Sequence, residues 1–340
     1  DYNIAIGESA MSGAWSTANV DNCISIGYNS MAGVLTADAT GSIAIGQGTL
    51  NAQTSGIGNI AIGYQALNVE DDGDYNTAVG HQALKAQTGT SGEVGNTAVG
   101  YQSGLALTSG RYNTAIGMQS LYKDDLGDTS TAVGFQSLAN QNNASQLTTG
   151  NTGIGMYSGL YNVTGTNNTY LGYKAGFGEA NESNSNNTAI GSLANDAVTT
   201  GDNNSSLGYA ALSSSTTGSE NVAIGQSALN SLVSGAGNVA LGRAASSSMG
   251  VAETGNIAIG YHSMLSMDEG SGSNVNYNIA IGYEALTGGD LNTASTDVTD
   301  CIAIGAQALN STSTNAQVGT IAIGTNALTA LTSGAGNVAL

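Results

Sequence analysis

The chain has 340 residues with 50 glycines, no proline, 5% aromatic and 9% charged residues, too few large apolar side chains for a thick globular core. Its formal net charge of −19 repels polyanions and argues against nucleic acid or an anionic membrane surface as a partner. No apolar run approaches the roughly 18 to 20 residues that a membrane-spanning helix needs, so we expect no membrane insertion.

One short motif recurs along the whole chain. Asn221-Val222-Ala223-Ile224-Gly225 is one copy, and 18 complete copies end at a glycine that we number position 0. The spacing between these glycines ranges from 17 to 23 residues and never falls below 17, which is typical of a solenoid rung of fixed circumference with an outward loop. The anchor glycines are Gly7, Gly27, Gly46, Gly63, Gly80, Gly100, Gly117, Gly134, Gly155, Gly172, Gly191, Gly208, Gly225, Gly242, Gly260, Gly282, Gly305 and Gly324.

The spacing predicts one repeat domain over residues 1–340. Both ends fall within a repeat, so we expect the chain to be a segment of a longer fibre. The longest additions to the 17-residue rung cover residues 267–277 and 287–300, and shorter ones include 35–41 and 141–150; residues 70–75 are a further expected loop, in a rung of the minimum length. We expect these additions to be displayed as loops.

Alternation within the motif predicts a short strand. Position −1 is Ile, Val or Leu in every copy, and position −2 is small in all but one, where Tyr170 stands. Positions −3 and −1 then share an apolar face, and positions −4, −2 and 0 share a small, flat one. A second strand is predicted through segments such as residues 229–233. The fold class is therefore all-β, a parallel β-roll or β-solenoid of about 18 to 19 rungs, with structural repeat residues such as Asn59, Ile62, Gly63, Asn76, Gly80, Asn221, Ile224 and Gly225.

Position −4 is Asn in 13 of the 18 complete copies. Stacked Asn side chains can hydrogen-bond from rung to rung or cap the turn backbone, and this structural interpretation is preferred over a polar row that binds a ligand. Cys23 and Cys301, the only cysteines, occupy the same position. At roughly 4.8 Å per rung they would lie about 70 Å apart, so they cannot form a disulfide within one chain.

Position +1 is often aromatic. A row of exposed tyrosines could stack on the sugar rings of a surface glycan, and the candidates are Tyr64, Tyr101, Tyr209, Tyr261 and Tyr283. The preferred interpretation is that these rings pack over the turn and keep their hydroxyls wet.

Two acidic clusters are candidates for Ca²⁺, which binds carboxylate oxygens. They are Glu70-Asp71-Asp72-Gly73-Asp74 and Asp124-Asp125-Leu126-Gly127-Asp128, in which the candidate ligands are Asp71, Asp72, Asp74, Asp124, Asp125 and Asp128. Neither has the twelve-residue loop of an EF-hand, so solvated acidic loops are the preferred interpretation and no cofactor is predicted.

Little in the sequence favours catalysis. His81 and His262 are the only histidines, and neither has a Ser or Cys partner at a matching position. No paired carboxylate recurs as in a glycosidase, so we predict that the protein is not an enzyme.

The motif in Asn59 to Ala66 and Asn113 to Ser120 resembles the YadA-like head repeat of trimeric autotransporter adhesins. Asn59 to Leu67 and Asn76 to Leu84 also resemble repeats of phage tail fibres. The resemblance implies a left-handed β-roll, a homotrimer and an extracellular fibre that attaches to a host-surface glycan or protein receptor. The alternatives are a bacterial adhesin head, a polysaccharide-depolymerising tailspike and a monomeric ice-binding or surface-layer solenoid.

A trimer also has a physical motive, because three thin rolls around one axis would bury poorly covered surface. If positions −4 and −2 line that axis, Tyr170 should widen the assembly locally. Each cysteine should then meet its symmetry mates.

Overall fold

The computed structural model describes residues 2–13, 20–35, 39–89, 92–143, 145–266, 274–288, 297–310, 316–331 and 334–340. This part of the chain contains strands and turns but no helix, and hence no helix that could cross a membrane. Two compact units are formed, residues 1–168 and 169–340. Each is a parallel β-solenoid, which confirms the all-β solenoid prediction.

The first unit contains thirteen strands among its described residues, in this order. They are β1 (Ile4–Ile6), β2 (Ile24–Ile26), β3 (Ile43–Ile45), β4 (Ile60–Ile62), β5 (Gly73–Asp74), β6 (Thr77–Val79), β7 (Gly92–Glu93), β8 (Thr97–Val99), β9 (Thr114–Ile116), β10 (Gly127–Asp128), β11 (Thr131–Val133), β12 (Leu147–Thr148) and β13 (Thr152–Ile154).

The second unit contains fourteen strands among its described residues. They are β14 (Thr169–Leu171), β15 (Thr188–Ile190), β16 (Ser205–Leu207), β17 (Val222–Ile224), β18 (Val239–Leu241), β19 (Ile257–Ile259), β20 (Val275–Asn276), β21 (Ile279–Ile281), β22 (Val298–Thr299), β23 (Ile302–Ile304), β24 (Gln317–Val318), β25 (Ile321–Ile323), β26 (Gly334–Ala335) and β27 (Val338–Ala339).

Every three-residue strand occupies positions −3 to −1 of the motif, and neighbouring copies pair in parallel with equal positions opposite each other. Ala61 lies opposite Ala78, 17 residues later. Ala258 lies opposite Ala280 although 22 residues separate them. Added residues therefore bulge out of the rung without shifting its register. Most of the two longest additions, residues 267–273 and 289–296, lie outside the described residues.

The prediction of a second strand through residues 229–233 is wrong. Residues 226–231 form a turn, in which Ser227 and Leu229 have φ angles of 56° and 49°. Residues with positive φ angles curl the chain, so their backbone N–H groups point along the solenoid toward the next rung. For example, the N–H of Leu229 donates to the carbonyl oxygen of Ala245 at 3.0 Å. The second strands that do form have two residues and lie shortly before position −4, as β5 does before Asn76.

The small face of the motif points into the solenoid. The alanines at position −2, such as Ala61 and Ala223, and the asparagines at −4, such as Asn59, are fully buried within their own chain. Leucines at +4, such as Leu67 and Leu84, fill the rest of the interior. The prediction that positions −4 and −2 line a trimer axis is therefore wrong. Alternation in the sequence separates two faces, but the direction of the curl after position 0 decides which face is enclosed.

The anchor glycines are required by a close approach between rungs. Gly63 has a φ angle of 124°, and a Cβ built on it would lie 2.6 Å from the carbonyl oxygen of Gly80. A side chain there would be strained and would collide with backbone. This contact explains why position 0 is glycine in every copy.

Both cysteines are enclosed within their own unit. The Cys23 thiol lies 3.4 Å from the carbonyl oxygen of Ala39, and the Cys301 thiol lies 3.4 Å from that of Gln317. Both thiols are free and buried, and burial raises their pKa. The expectation that each cysteine meets its symmetry mates is wrong, because position −4 faces the interior.

Tyr170 is also inside its unit, where it is fully buried at position −2. Its hydroxyl donates a hydrogen bond to Oδ1 of Asn184. A Cβ on Gly176 would lie 2.1 Å from the ring, so the glycine leaves the space that the ring fills. Gly176 occupies position +4, where leucine stands in many other rungs. The expectation that Tyr170 widens a trimer axis is wrong. Its bulky ring fits inside the unit because Gly176, at position +4, has no side chain.

Candidate functional site

An aliphatic face runs along each unit, formed by the Ile, Val or Leu at position −1 of successive three-residue strands. Position −3 lies on the same side and is Ile or Val in most strands, but it is Thr or Ser in every three-residue strand from β6 to β16. These side chains point away from the enclosed alanines, because neighbours in a strand lie on opposite sides. In the first unit Val99 and Ile116, which lie opposite each other in β8 and β9, are 37% and 39% exposed. In the second unit Leu207 is 46% exposed. Repeated apolar exposure of this kind marks an interaction surface.

An aromatic column lies at position +1. In the first unit the ring of His81 stacks between Tyr64 and Tyr101, with centroid separations of 4.9 and 5.3 Å. In the second unit Tyr261 stacks on Tyr283 at 5.7 Å. The candidates Tyr64, Tyr101, Tyr209, Tyr261 and Tyr283 are between 36% and 54% exposed. The stacked rings thus pack from rung to rung and still present part of their surface to solvent.

Both histidines belong to this aromatic packing. His81 is an exposed member of the column, and the ring of His262 lies 3.7 Å from that of Tyr261. The Arg243 guanidinium lies 5.3 Å from the same tyrosine ring. Contacts of this type stabilise the surface through stacking and cation–π attraction.

A glutamine ladder at position +2 was not anticipated from the sequence. Five successive glutamines are joined by four hydrogen bonds, in each of which Nε2 of one donates to Oε1 of the preceding one at 2.8 to 3.2 Å. They are Gln65, Gln82, Gln102, Gln119 and Gln136. The repetition of Gln at +2 in five consecutive copies was the signal that could have revealed it.

An asparagine ladder occupies position −4 in the interior. Oδ1 of Asn59 accepts from the backbone N–H of Asn76 at 2.9 Å, and its Nδ2 donates to the carbonyl oxygen of Gly73 at 2.7 Å. Asn221 makes the same two contacts, with Asn238 and Gly235. Because both ends of these two amides are used and the side chains are buried, they build the rung and offer no surface to a ligand.

The first acidic cluster contains a buried carboxyl, whereas the sequence interpretation expected a solvated acidic loop. Glu70 is fully buried, and its Oε1 accepts from the N–H of Gly73 at 2.7 Å. Burial, followed by the nearby Asp71 and Asp72 charges, raises the pKa of Glu70 to about 7. Oxygens of these three residues lie within 4.8 Å of one another, the only such cluster that the described residues bring together. Glu70 occupies position +7, where Gln53 and Gln87 are also buried, and that shared position was the available signal.

The other metal candidates are engaged in holding rungs together. Oδ1 of Asp74 accepts from the N–H of Ile57 at 2.7 Å, and Oδ1 of Asp128 accepts from the N–H of Arg111 at 2.7 Å. Asp125 accepts from the hydroxyl of Thr108. These carboxylates therefore act as caps for the preceding rung.

Asp124 is the buried carboxylate of the second cluster. Its Oδ2 accepts from Nε2 of Gln141 at 2.6 Å, and its Oδ1 accepts from the N–H of Gly127 at 3.2 Å and from Nδ2 of Asn143 at 3.4 Å. Burial raises the pKa of Asp124, and these three donors act in the opposite direction. Both oxygens are thus occupied by protein donors.

No protein-family model matches this chain, and no curated protein or solved structure is similar to it. The resemblance to YadA-like head repeats and phage tail fibres therefore stays a prediction from the motif. Functional inference depends on the geometry of the chain itself.

Proposed function

We propose that this chain forms the shaft or head of an extracellular homotrimeric fibre that mediates attachment, such as a phage tail fibre or a related surface filament. The observation that carries the proposal is the aliphatic face. It remains exposed along both units although the interior of each solenoid is closed.

The size of the face supports self-association. Burying apolar surface contributes about 25 cal/mol per Å², and the same stripe of side chains is presented by rung after rung. Identical chains around a symmetry axis would each cover the stripe of a neighbour. The motif resemblance favours three chains.

Attachment fits the aromatic column. Half-exposed rings stacked in register, such as Tyr64, His81 and Tyr101, offer flat apolar surface on which a sugar ring can lie. Each contact of this kind is weak, but a trimer would present three columns, and linked weak contacts add to a strong overall attachment. No catalytic role is assigned to any residue.

The trimer is tested by native mass spectrometry and light scattering of the wild-type chain and of Ile116→Asp. Ile116 lies on the aliphatic face, so the substitution would bring three like charges together at the axis. We expect a wild-type trimer and a folded, dissociated variant. Val251→Asp is the control, because Val251 is 59% exposed but lies between strands, outside the aliphatic face. A monomeric wild type, or an Ile116→Asp trimer as stable as the wild type, would contradict the proposal.

The role of the aromatic column is tested by binding to host polysaccharide. Tyr101→Ala removes one end of the stack, and we expect it to weaken binding several-fold while the trimer persists. Undiminished binding would remove the column from the attachment site. Release of new reducing ends from the polysaccharide would instead favour the tailspike alternative.

A further inference from the structure

Glu70 has a carboxyl oxygen for which the described residues offer no hydrogen-bond partner. The side chain is fully buried, and Oε1 is held by the N–H of Gly73. Oε2 is enclosed and has no hydrogen-bond partner. A buried carboxylate oxygen without a partner is costly, so an additional group at this position would stabilise the fold.

The neighbouring carboxylates converge on the same place. Asp71 is exposed, Asp72 is partly buried, and one oxygen from each lies within 4.8 Å of an oxygen of Glu70. Ca²⁺ binds oxygens at about 2.3 to 2.6 Å, so two of its ligands can be up to roughly 5 Å apart. The spacing of the three oxygens fits a single ion between them.

We infer that Glu70, Asp71 and Asp72 form a Ca²⁺ site. Three carboxylates supply the hard oxygen ligands that this ion prefers, and Asp71 and Asp72 leave the site open to water for the rest of the coordination shell. Ca²⁺ accepts an irregular set of ligands, whereas Mg²⁺ demands near-octahedral geometry and keeps most of its own water. The site is independent of the proposed fibre function and would stabilise the loop that begins at Glu70.

The rung after the site explains why Glu70 is unsatisfied. Gly89 stands at position +9 there, and a Cβ on it would lie 2.5 Å from Oε1 of Glu70 and 3.0 Å from Oδ1 of Asp72. With no side chain, Gly89 allows close approach and supplies no donor. In the second acidic cluster the corresponding residue is Asn143, whose amide contacts Asp124.

The second cluster also lacks the third ligand. Leu126 replaces Asp72 at position +9 of its own rung, and the buried Asp124 is occupied by Gln141, Asn143 and Gly127. Similar acidic sequences are thus built in two ways, one closed by protein donors and one with a free oxygen. The second cluster provides a matched control for the first.

The test compares the wild-type chain with Glu70→Gln and Asp124→Asn by equilibrium dialysis against Ca²⁺, at an ionic strength that suppresses diffuse binding to the acidic surface. Glu70→Gln keeps the shape of the side chain and the acceptor for Gly73 but removes the charge. We expect one saturable site per chain in the wild type, at least about tenfold weaker binding in Glu70→Gln, and wild-type binding in Asp124→Asn. Thermal unfolding should show the same order, with a Ca²⁺-dependent rise in Tm that Glu70→Gln loses.

A wild-type chain without a saturable site or a Ca²⁺-dependent Tm would overturn the proposal, and so would equal weakening by Asp124→Asn. If circular dichroism in chelator shows that Glu70→Gln is misfolded, Asp72→Asn replaces it, because that side chain is only partly buried. Undiminished binding in Asp72→Asn would then reject the site. Displacement of Ca²⁺ by an equal concentration of Mg²⁺ would reject the assignment of the ion.

Discussion

Residues 70–74 and 124–128 present nearly the same sequence, Glu-Asp-Asp-Gly-Asp and Asp-Asp-Leu-Gly-Asp, at the same positions of their rungs. Their last residues, Asp74 and Asp128, make the same contact, because each accepts a hydrogen bond from a backbone N–H of the preceding rung at 2.7 Å. Their first residues differ. Asp124 has donors for both oxygens, whereas Oε2 of Glu70 has none among the described residues.

The difference comes from the next rung. Gln87 follows Glu70 at position +7, as Gln141 follows Asp124, yet Nε2 of Gln87 donates to the carbonyl oxygen of Thr108. Asp124, whose side chain is shorter than that of Glu70, accepts from Nε2 of Gln141, and Asn143 adds a second side-chain donor. In a solenoid the neighbours of a side chain are one rung away, so two similar loops can differ in chemistry because of residues about 20 positions later.

The largest expected effect is on the pH dependence of stability in the absence of divalent cations. Glu70 binds its proton more tightly in the folded chain, with a pKa of about 7 against an ordinary 4.5. Burial is the main cause of this raised pKa, the Gly73 N–H lowers the pKa, and the nearby Asp71 and Asp72 charges raise it further. The protonated form therefore contributes fully to the free energy of unfolding below pH 4.5. This contribution, about 3 kcal/mol, is lost as the pH rises through 7.

Glu70→Gln should remove that loss. We expect the free energy of unfolding of the variant to exceed that of the wild type more at pH 7.5 than at pH 4.5, measured by denaturant titration in chelator. Asp124 titrates in both proteins, so the difference between them isolates Glu70. Identical pH dependence in the two proteins would contradict the assignment.

A smaller effect is expected when each buried acid is replaced by leucine, which already stands at position +7 as the buried Leu107. Asp124→Leu leaves the Asn143 amide and the Gly127 N–H without their acceptor and should cost about 2 kcal/mol at neutral pH. Glu70→Leu also leaves the Gly73 N–H without its acceptor, but it removes a poorly solvated charge, and the two effects should offset to within about 1 kcal/mol. Urea titration of both variants in chelator measures the contrast, and equal costs would show that the two acids are held alike.

The smallest effect concerns the donor that distinguishes the two rungs. Asn143→Ala removes the 3.4 Å contact to Asp124 and should destabilise the chain by about 0.5 to 1 kcal/mol, with a further rise in the pKa of Asp124. Asn142→Ala is the matched control, because that neighbouring side chain is exposed. Thermal unfolding at neutral pH would detect the difference, and an equal shift in the two variants would remove Asn143 from the comparison.

The periodicity was sufficient to predict the all-β class and the parallel stacking. A constant position for glycine, small residues and β-branched residues repeats the same local geometry, and identical units stack in register. The exposed tyrosines at position +1 were also visible in the sequence. The burial of Glu70 was not visible, because the residue looks like one more surface acid until its position in the rung is matched to that of the buried Gln53 and Gln87.

The sequence by itself determined the rung: its minimum length of 17 residues, its strand at positions −3 to −1, and the glycine that permits rungs to approach closely. Only the tertiary structure decided which face is enclosed, since alternation is symmetric until left-handed residues such as Leu229 curl the chain toward position −2. It also decided how exceptions are accommodated. Tyr170 fits because Gly176 has no side chain in the space that the ring fills. Oε2 of Glu70 has no partner among the described residues, and Gly89 has no side chain that could donate a hydrogen bond. Both outcomes depend on contacts between residues that are distant in the sequence.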